Sequence, residues 1–109
     1  MKINELLEKL QYKVCNNVNV DGEIKGGYAS DLLSDVMGNA SEGNVWITMQ
    51  THKNVVAVAS LKELPVIIFS NGNNPDDDTV EAATEEGVLL LSSPKGTFEI
   101  CGELFNLLG

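Results

Sequence analysis

Between Asn44 and Gly72 the chain reads NVWITMQTHKNVVAVASLKELPVIIFSNG, and this stretch restricts the fold more than any other. Val45, Ile47 and Met49 alternate with Trp46, Thr48 and Gln50, which is the period of a pleated strand. Val66 to Phe69 is a continuous apolar run behind Pro65, as expected of a strand covered on both faces. Asn54 to Leu64 has the length of a crossover helix, which parallel strands need because a tight turn cannot join them. The unit is a βαβ crossover. Both polar turns behind its strands then fall on one edge of the sheet, the edge where open α/β sheets bind ligands.

The flanking segments extend the same pattern. Ile3, Leu6, Leu7 and Leu10 mark an amphipathic first helix, and a short strand is expected near Lys13 to Cys15. Asn16 to Gly22 is rich in turn formers and reads as a loop. Glu23 to Ala29 reads as strand running into a Gly26-Gly27-Tyr28 turn. A helix follows, capped by Ser30, with Leu32, Leu33, Val36 and Met37 on one face and Gly38-Asn39 at its end. Asn74-Pro75 before Asp76, Asp77 and Asp78 is a helix start, with Val80, Ala83 and Thr84 facing inward and Gly87 as the stop. Val88 to Leu91 is a further buried parallel strand. Ser92-Ser93-Pro94 then leads to a last helix on which Phe98, Cys101, Phe105 and Leu108 share a face. The expectation is one α/β domain over residues 1–109, with a mostly parallel sheet flanked by helices.

Charge narrows the partners. Sixteen acidic against seven basic side chains give a formal net charge of −9, which repels phosphate backbones and anionic lipid, so neither nucleic acid nor a membrane surface is an expected partner. The N-terminal segment MKINELLEKLQYK alternates charge with leucine and has no signal-peptide core. No apolar run reaches the length of a membrane span, so a cytoplasmic location is expected. Cys15 and Cys101 lie far apart with no CxxC. The sequence leaves a disulfide open, and two free thiols in a reducing compartment is the expected state.

The polar turns carry what chemistry there is. Those around Thr48, Gln50 and His52, around Ser70, Asn71, Gly72 and Asn73, and from Ser92 and Ser93 to Thr97 should converge at the carboxyl edge of the sheet. Two of them open helices, whose first N–H groups can hold an anion or can simply be capped by Asn74 and Ser93. Lys95-Gly96-Thr97 lacks the leading glycine of a phosphate-binding loop, so ATP-dependent phosphoryl transfer has no machinery. His52, the sole histidine, has no partners that would make it a catalytic base or complete a metal site. Asp31 and Asp35 read as helix-start and solvent-facing acids. Trp46 is expected in the core and Tyr28, beside two glycines, at an interface.

The string from Gly26 through Met37, followed by Val45 to His52, resembles the small DRTGG-domain proteins, which are similar to the N-terminal domain of HPr kinase/phosphorylase. The likeness continues through Ser70-Asn71-Gly72 to Pro75-Asp76 and from Leu91-Ser92-Ser93-Pro94 to Thr97-Phe98-Glu99. The turn corresponding to the family's Asp-Arg-Thr-Gly-Gly string is Phe69-Ser70-Asn71-Gly72-Asn73, without its arginine. The resemblance implies a non-catalytic α/β module. Relatives accompany CBS domains in regulated pyrophosphatases, and free-standing ones are found near iron-hydrogenase and other redox genes.

Residues and resemblance together lead to an expected homodimeric regulatory module with no cofactor and no metal. It would sense a small anionic metabolite or nucleotide at Gly27, Tyr28, Thr48, Gln50, His52, Ser70, Asn71, Gly72, Ser92, Ser93 and Thr97. The alternative is an accessory protein that docks on a redox enzyme, such as an iron hydrogenase, without a ligand. An enzyme ranks last, for want of a nucleophile–base pair, a metal set or a phosphate loop.

Overall fold

The computed structural model describes residues 1–108. Its strands are β1 (Lys13–Val14), β2 (Gly26–Ala29), β3 (Asn44–Thr48), β4 (Val66–Phe69) and β5 (Leu89–Ser92). Its helices are α1 (Ile3–Leu10), α2 (Leu33–Asn39), α3 (Asn54–Lys62), α4 (Asp77–Glu86) and α5 (Thr97–Leu108). The five strands form one sheet in the order β1-β5-β4-β3-β2. All neighbours are parallel except β1, which pairs antiparallel with β5. The architecture is α/β, with helices on both faces of a mostly parallel sheet.

Strand burial explains why β3, β4 and β5 form the centre. Val45 through Thr48, Val66 through Phe69 and Leu89 through Ser92 are all buried, because each strand is covered on both sides. The register aligns Tyr28, Trp46, Ile67 and Leu90 in one row across four strands. Trp46, Ile67 and Leu90 pack with Val36 of α2, Val55 and Ala59 of α3, and Ala83 of α4. The alternate residues Val45, Ile47, Val66, Ile68, Leu89 and Leu91 pack with Ile3 and Leu6 of α1 and with Ile100 and Leu104 of α5. With sequential strand order, α2, α3 and α4 lie together on one face, as crossovers of one hand require.

That arrangement locates a switch point. The connection from β4 leads to α4 on the first face, while the connection from β5 leads to α5 on the opposite face. Adjacent strands whose connections part in this way open a crevice at their carboxyl ends, so the place to look is between β4 and β5.

Several local expectations are corrected. Gly26 and Gly27 do not make a turn. They belong to β2, whose pairing with β3 recruits them and whose edge position tolerates glycine. Met49 lies beyond β3, and Val45 through Thr48 are buried on both faces of the strand. Neither Ser30 nor Asn74 is the cap residue of its helix, these being Leu32 and Asp76. Leu32 and Met37 are exposed, and only Val36 of α2 is buried. On α5 the buried residues are Ile100 and Leu104, whereas Phe98 and Phe105 are 91% and 76% exposed. Two apolar stripes lie on this helix, and hydropathy cannot tell which one faces the sheet. Trp46 is fully buried, as expected, and its indole N–H donates to the Ser30 carbonyl at 2.8 Å. Gly87 ends α4 with a positive φ of 72°, the left-handed conformation that glycine adopts without strain.

Candidate functional site

The carboxyl ends of the parallel strands are tied together by side chains and loop backbone. Behind β3, the Asp31 carboxylate accepts the Thr48 hydroxyl at 2.8 Å and the Met49 N–H at 2.7 Å. The Thr48 oxygen in turn accepts the Gln50 N–H at 3.1 Å. Asp31 is therefore a clamp on the loop that carries Gln50, not the solvated helix-start acid that its spacing suggested. Asp35 is likewise engaged. It accepts the Tyr28 hydroxyl at 2.8 Å and an N–H of Asn39 at 2.9 Å, and the Tyr28 bond holds its carboxyl below the usual range.

At the switch point the two loops close on each other. The Asn71 N–H donates to the Lys95 carbonyl and the Gly72 N–H to the Ser93 carbonyl, at 2.8 and 2.9 Å. The Ser70 and Thr97 hydroxyls share a hydrogen bond of 2.6 Å, and the Ser92 hydroxyl donates to the Asn73 carbonyl at 2.8 Å. The Ser93 hydroxyl accepts the Lys95 N–H at 3.2 Å. Thr48, Ser70, Ser92 and Ser93 are all buried, so these hydroxyls serve as scaffold and not as groups offered to a ligand.

What faces solvent at this edge is Met49, His52, Asn71, Gly72 and Lys95, with Gln50 and Thr97 half-exposed. Asn71 holds a left-handed φ of 58° and donates its side-chain amide to the Met49 sulfur at 2.9 Å. His52 Nδ1 lies 2.9 Å from an Asp76 carboxylate oxygen. Asp76, Asp77 and Asp78 occupy the start of α4 and already satisfy its dipole, which disfavours an anion there. The start of α5 differs. Only Glu99 is acidic in its first turn, and the Lys95 ammonium, from the residue two before the helix, reaches over the Tyr12 ring to Glu103 in the second turn. Glu103 also accepts the Tyr12 hydroxyl. These two bonds, Lys95 first, hold the Glu103 carboxyl below its usual range, while burial and the Glu103 bond push the Tyr12 phenol up.

Gly27 and Tyr28 are not brought to this cluster. They sit on the edge strand β2, along an apolar groove of about 310 Å³ whose other wall is Cys101, Phe105 and Leu108 of α5. Both cysteines are free and half-buried, and burial raises the pKa of each thiol. Among the described residues no three His, Cys, Asp or Glu side chains cluster as a metal site, and no helix is long and apolar enough to cross a membrane. The sequence reading missed Asp31, although an acid just beyond a strand end, opposite a threonine of the next strand, is the pattern of such a clamp.

The family model described as HPr Serine kinase N terminus matches residues 46–108, from β3 to the end of α5. The chain belongs to that family. It is the DRTGG-type family named by the resemblance, although the string from Gly26 to Met37 lies outside the matched span. No curated protein matches the chain. Among solved structures, one likeness is to the CBS and DRTGG domains of the regulatory region of Clostridium perfringens pyrophosphatase, complexed with the activator diadenosine tetraphosphate. The TM-score is 0.66 at 15% sequence identity, over 94% of this chain and 46% of that one. The chain thus spans about half the length of that structure, and the two share a fold.

Proposed function

We propose that this family member is a non-catalytic regulatory module. It works as a homodimer and senses a small anionic metabolite or nucleotide at the carboxyl edge of its sheet. The observation that carries this reading is the switch point between β4 and β5, where the first turn of α5, Lys95, Asn71 and Thr97 come together. The buried hydroxyls fix the loops. The first-turn N–H groups of α5 and the Lys95 ammonium take the anion, while the Gln50, His52 and Asn71 side chains contact the rest of the ligand. Gly72, exposed on the rim, leaves room for close approach. The likeness to a regulatory region complexed with a nucleotide activator supports a regulatory role of this class.

The test is thermal unfolding against adenine and guanine nucleotides, nicotinamide and coenzyme A cofactors, and inorganic phosphate. A ligand at a hundred times its Kd stabilises by about 2.7 kcal/mol, roughly a 10 °C rise in Tm for a domain of this size. Asn71→Ala and Gln50→Ala should abolish most of that rise. Full retention of the rise in both variants refutes the site.

A further inference from the structure

We infer that the groove between β2 and α5 is the contact surface of a second copy of this chain, across a two-fold axis that runs roughly normal to the sheet. The inference rests on the homodimeric part of the reading above and assigns a surface to it.

Three independent features converge there. First, α5 carries two apolar stripes. Ile100 and Leu104 are consumed by the sheet, Cys101 and Leu108 are partly buried against the same core, and Phe98 and Phe105, seven residues apart, stand exposed beyond them. The spacing i, i+3, i+7, i+10 is that of a helix–helix seam, and among the described residues nothing covers its two phenylalanines, both largely exposed. Second, β2 pairs only with β3, so its outer side is an open sheet edge. Third, the small residues Gly26, Gly27 and Ala29 leave a hollow beside that seam, floored by Ile47 and walled by Phe105.

A protruding aromatic and a hollow on the same patch are what an isologous contact requires, since each copy offers both to the other. An axis normal to the sheet places β2 antiparallel to its symmetry mate and α5 beside its own, on the same face of a continuous sheet. Charge selects this patch as well. Two chains of net charge −9 repel over most of their surfaces, and the groove lining carries no charged side chain among the described residues. The size suffices. Phe105, which lines the groove, and Phe98, two turns before it on the same helix and outside the groove lining, together offer about 300 Å² per copy, so that two copies bring about half of the 1,200 Å² at the lower end of stable interfaces. The strand edge and Leu108 supply the remainder.

The experiment is the solution mass of the full chain by light scattering and sedimentation at high micromolar concentration. The expected result is twice the 11.7 kDa of one chain. Phe105→Glu removes the protrusion and Gly27→Val fills the hollow. A Cβ at Gly27 meets only the Val45 carbonyl oxygen, at an ordinary contact distance of 3.6 Å, so the second variant keeps the fold if the first does not. Each should weaken the dimer by about 30-fold or more. Leu61→Glu, at an exposed position on α3 on the opposite face, should leave it unchanged. A monomeric wild type refutes the homodimer altogether, and a dimer indifferent to both Phe105→Glu and Gly27→Val refutes this surface alone. Neither result touches ligand binding at the switch point, which the thermal panel reads separately.

Discussion

Asp31→Ala isolates the clamp behind β3. Its carboxylate accepts two hydrogen bonds, from the Thr48 hydroxyl and the Met49 N–H. A bond to a charged acceptor contributes about 1.5–3 kcal/mol. Asp31 is exposed, which argues for the lower end of that range, and Met49 is exposed enough for water to replace the lost acceptor. Thr48 is 1% exposed, and its hydroxyl has no such replacement. The loss should therefore be about 2 kcal/mol, most of it from Thr48. Asp31→Asn keeps an acceptor oxygen at the same place and should cost less than about 1 kcal/mol. Urea unfolding at neutral pH is the assay, followed through the emission of Trp46, the only tryptophan and a buried one. A double-mutant cycle with Thr48→Val should return a coupling of about 1 kcal/mol. If Asp31→Ala unfolds within about 0.5 kcal/mol of wild type with an unchanged m-value, the clamp is not a stabilising contact and the reasoning fails.

Leu104→Ala should lower stability by about 3 kcal/mol by opening a cavity under α5, while Phe105→Ala, one residue on, should cost under about 0.5 kcal/mol in dilute solution where dimer is absent. Urea titrations of both variants check this contrast. Because the Tyr28 bond depresses the Asp35 carboxyl, its contribution is present above the ordinary carboxylate range and is lost as pH falls through the depressed value. Tyr28→Phe should therefore raise the Asp35 titration midpoint by NMR and narrow its gap to wild-type stability at low pH. The raised Tyr12 phenol has the opposite sense. Its contribution is present below about pH 10 and declines as pH rises further, when the unfolded chain ionises first. Alkaline unfolding of Tyr12→Phe should lack that decline.

The fold was legible where burial alone decides structure. Val66 to Phe69 and Val88 to Leu91 are runs too apolar for anything but central strands, and the helix between Asn54 and Leu64 follows from the need to cross between parallel neighbours. Legibility failed where partners are distant in sequence. Gly26-Gly27 reads as a turn until β3 pairs with it, since glycine carries no side-chain signal for a strand. The site was legible as a location and not as a function for each residue. Counting polar residues at strand ends identified Ser70, Ser92 and Ser93, but whether a hydroxyl faces a ligand or a neighbouring loop depends on contacts such as the bond between Ser70 and Thr97, 27 residues apart. Four of the residues expected at the site, Thr48, Ser70, Ser92 and Ser93, are buried and hydrogen-bonded to the loops.

One helix joins the two proposals. α5 begins at Thr97, bonded to Ser70 at the switch point, and ends at Leu108 in the groove beside β2. Its inner face is packed on the sheet through Ile100 and Leu104. A ligand held by the first turn of this helix biases the pairing of two copies only if it contacts that turn differently in monomer and dimer. Linkage then demands reciprocity: whatever factor the ligand contributes to dimer affinity, dimerisation contributes to ligand affinity. Phe105→Glu, which touches no group at the switch point, should therefore change ligand affinity by the same factor by which ligand changes wild-type dimerisation. Calorimetric titration of that variant against wild type measures one side of the equality, and sedimentation with and without ligand measures the other. A factor of one on both sides would mean that α5 does not connect the two surfaces, and that each acts on its own.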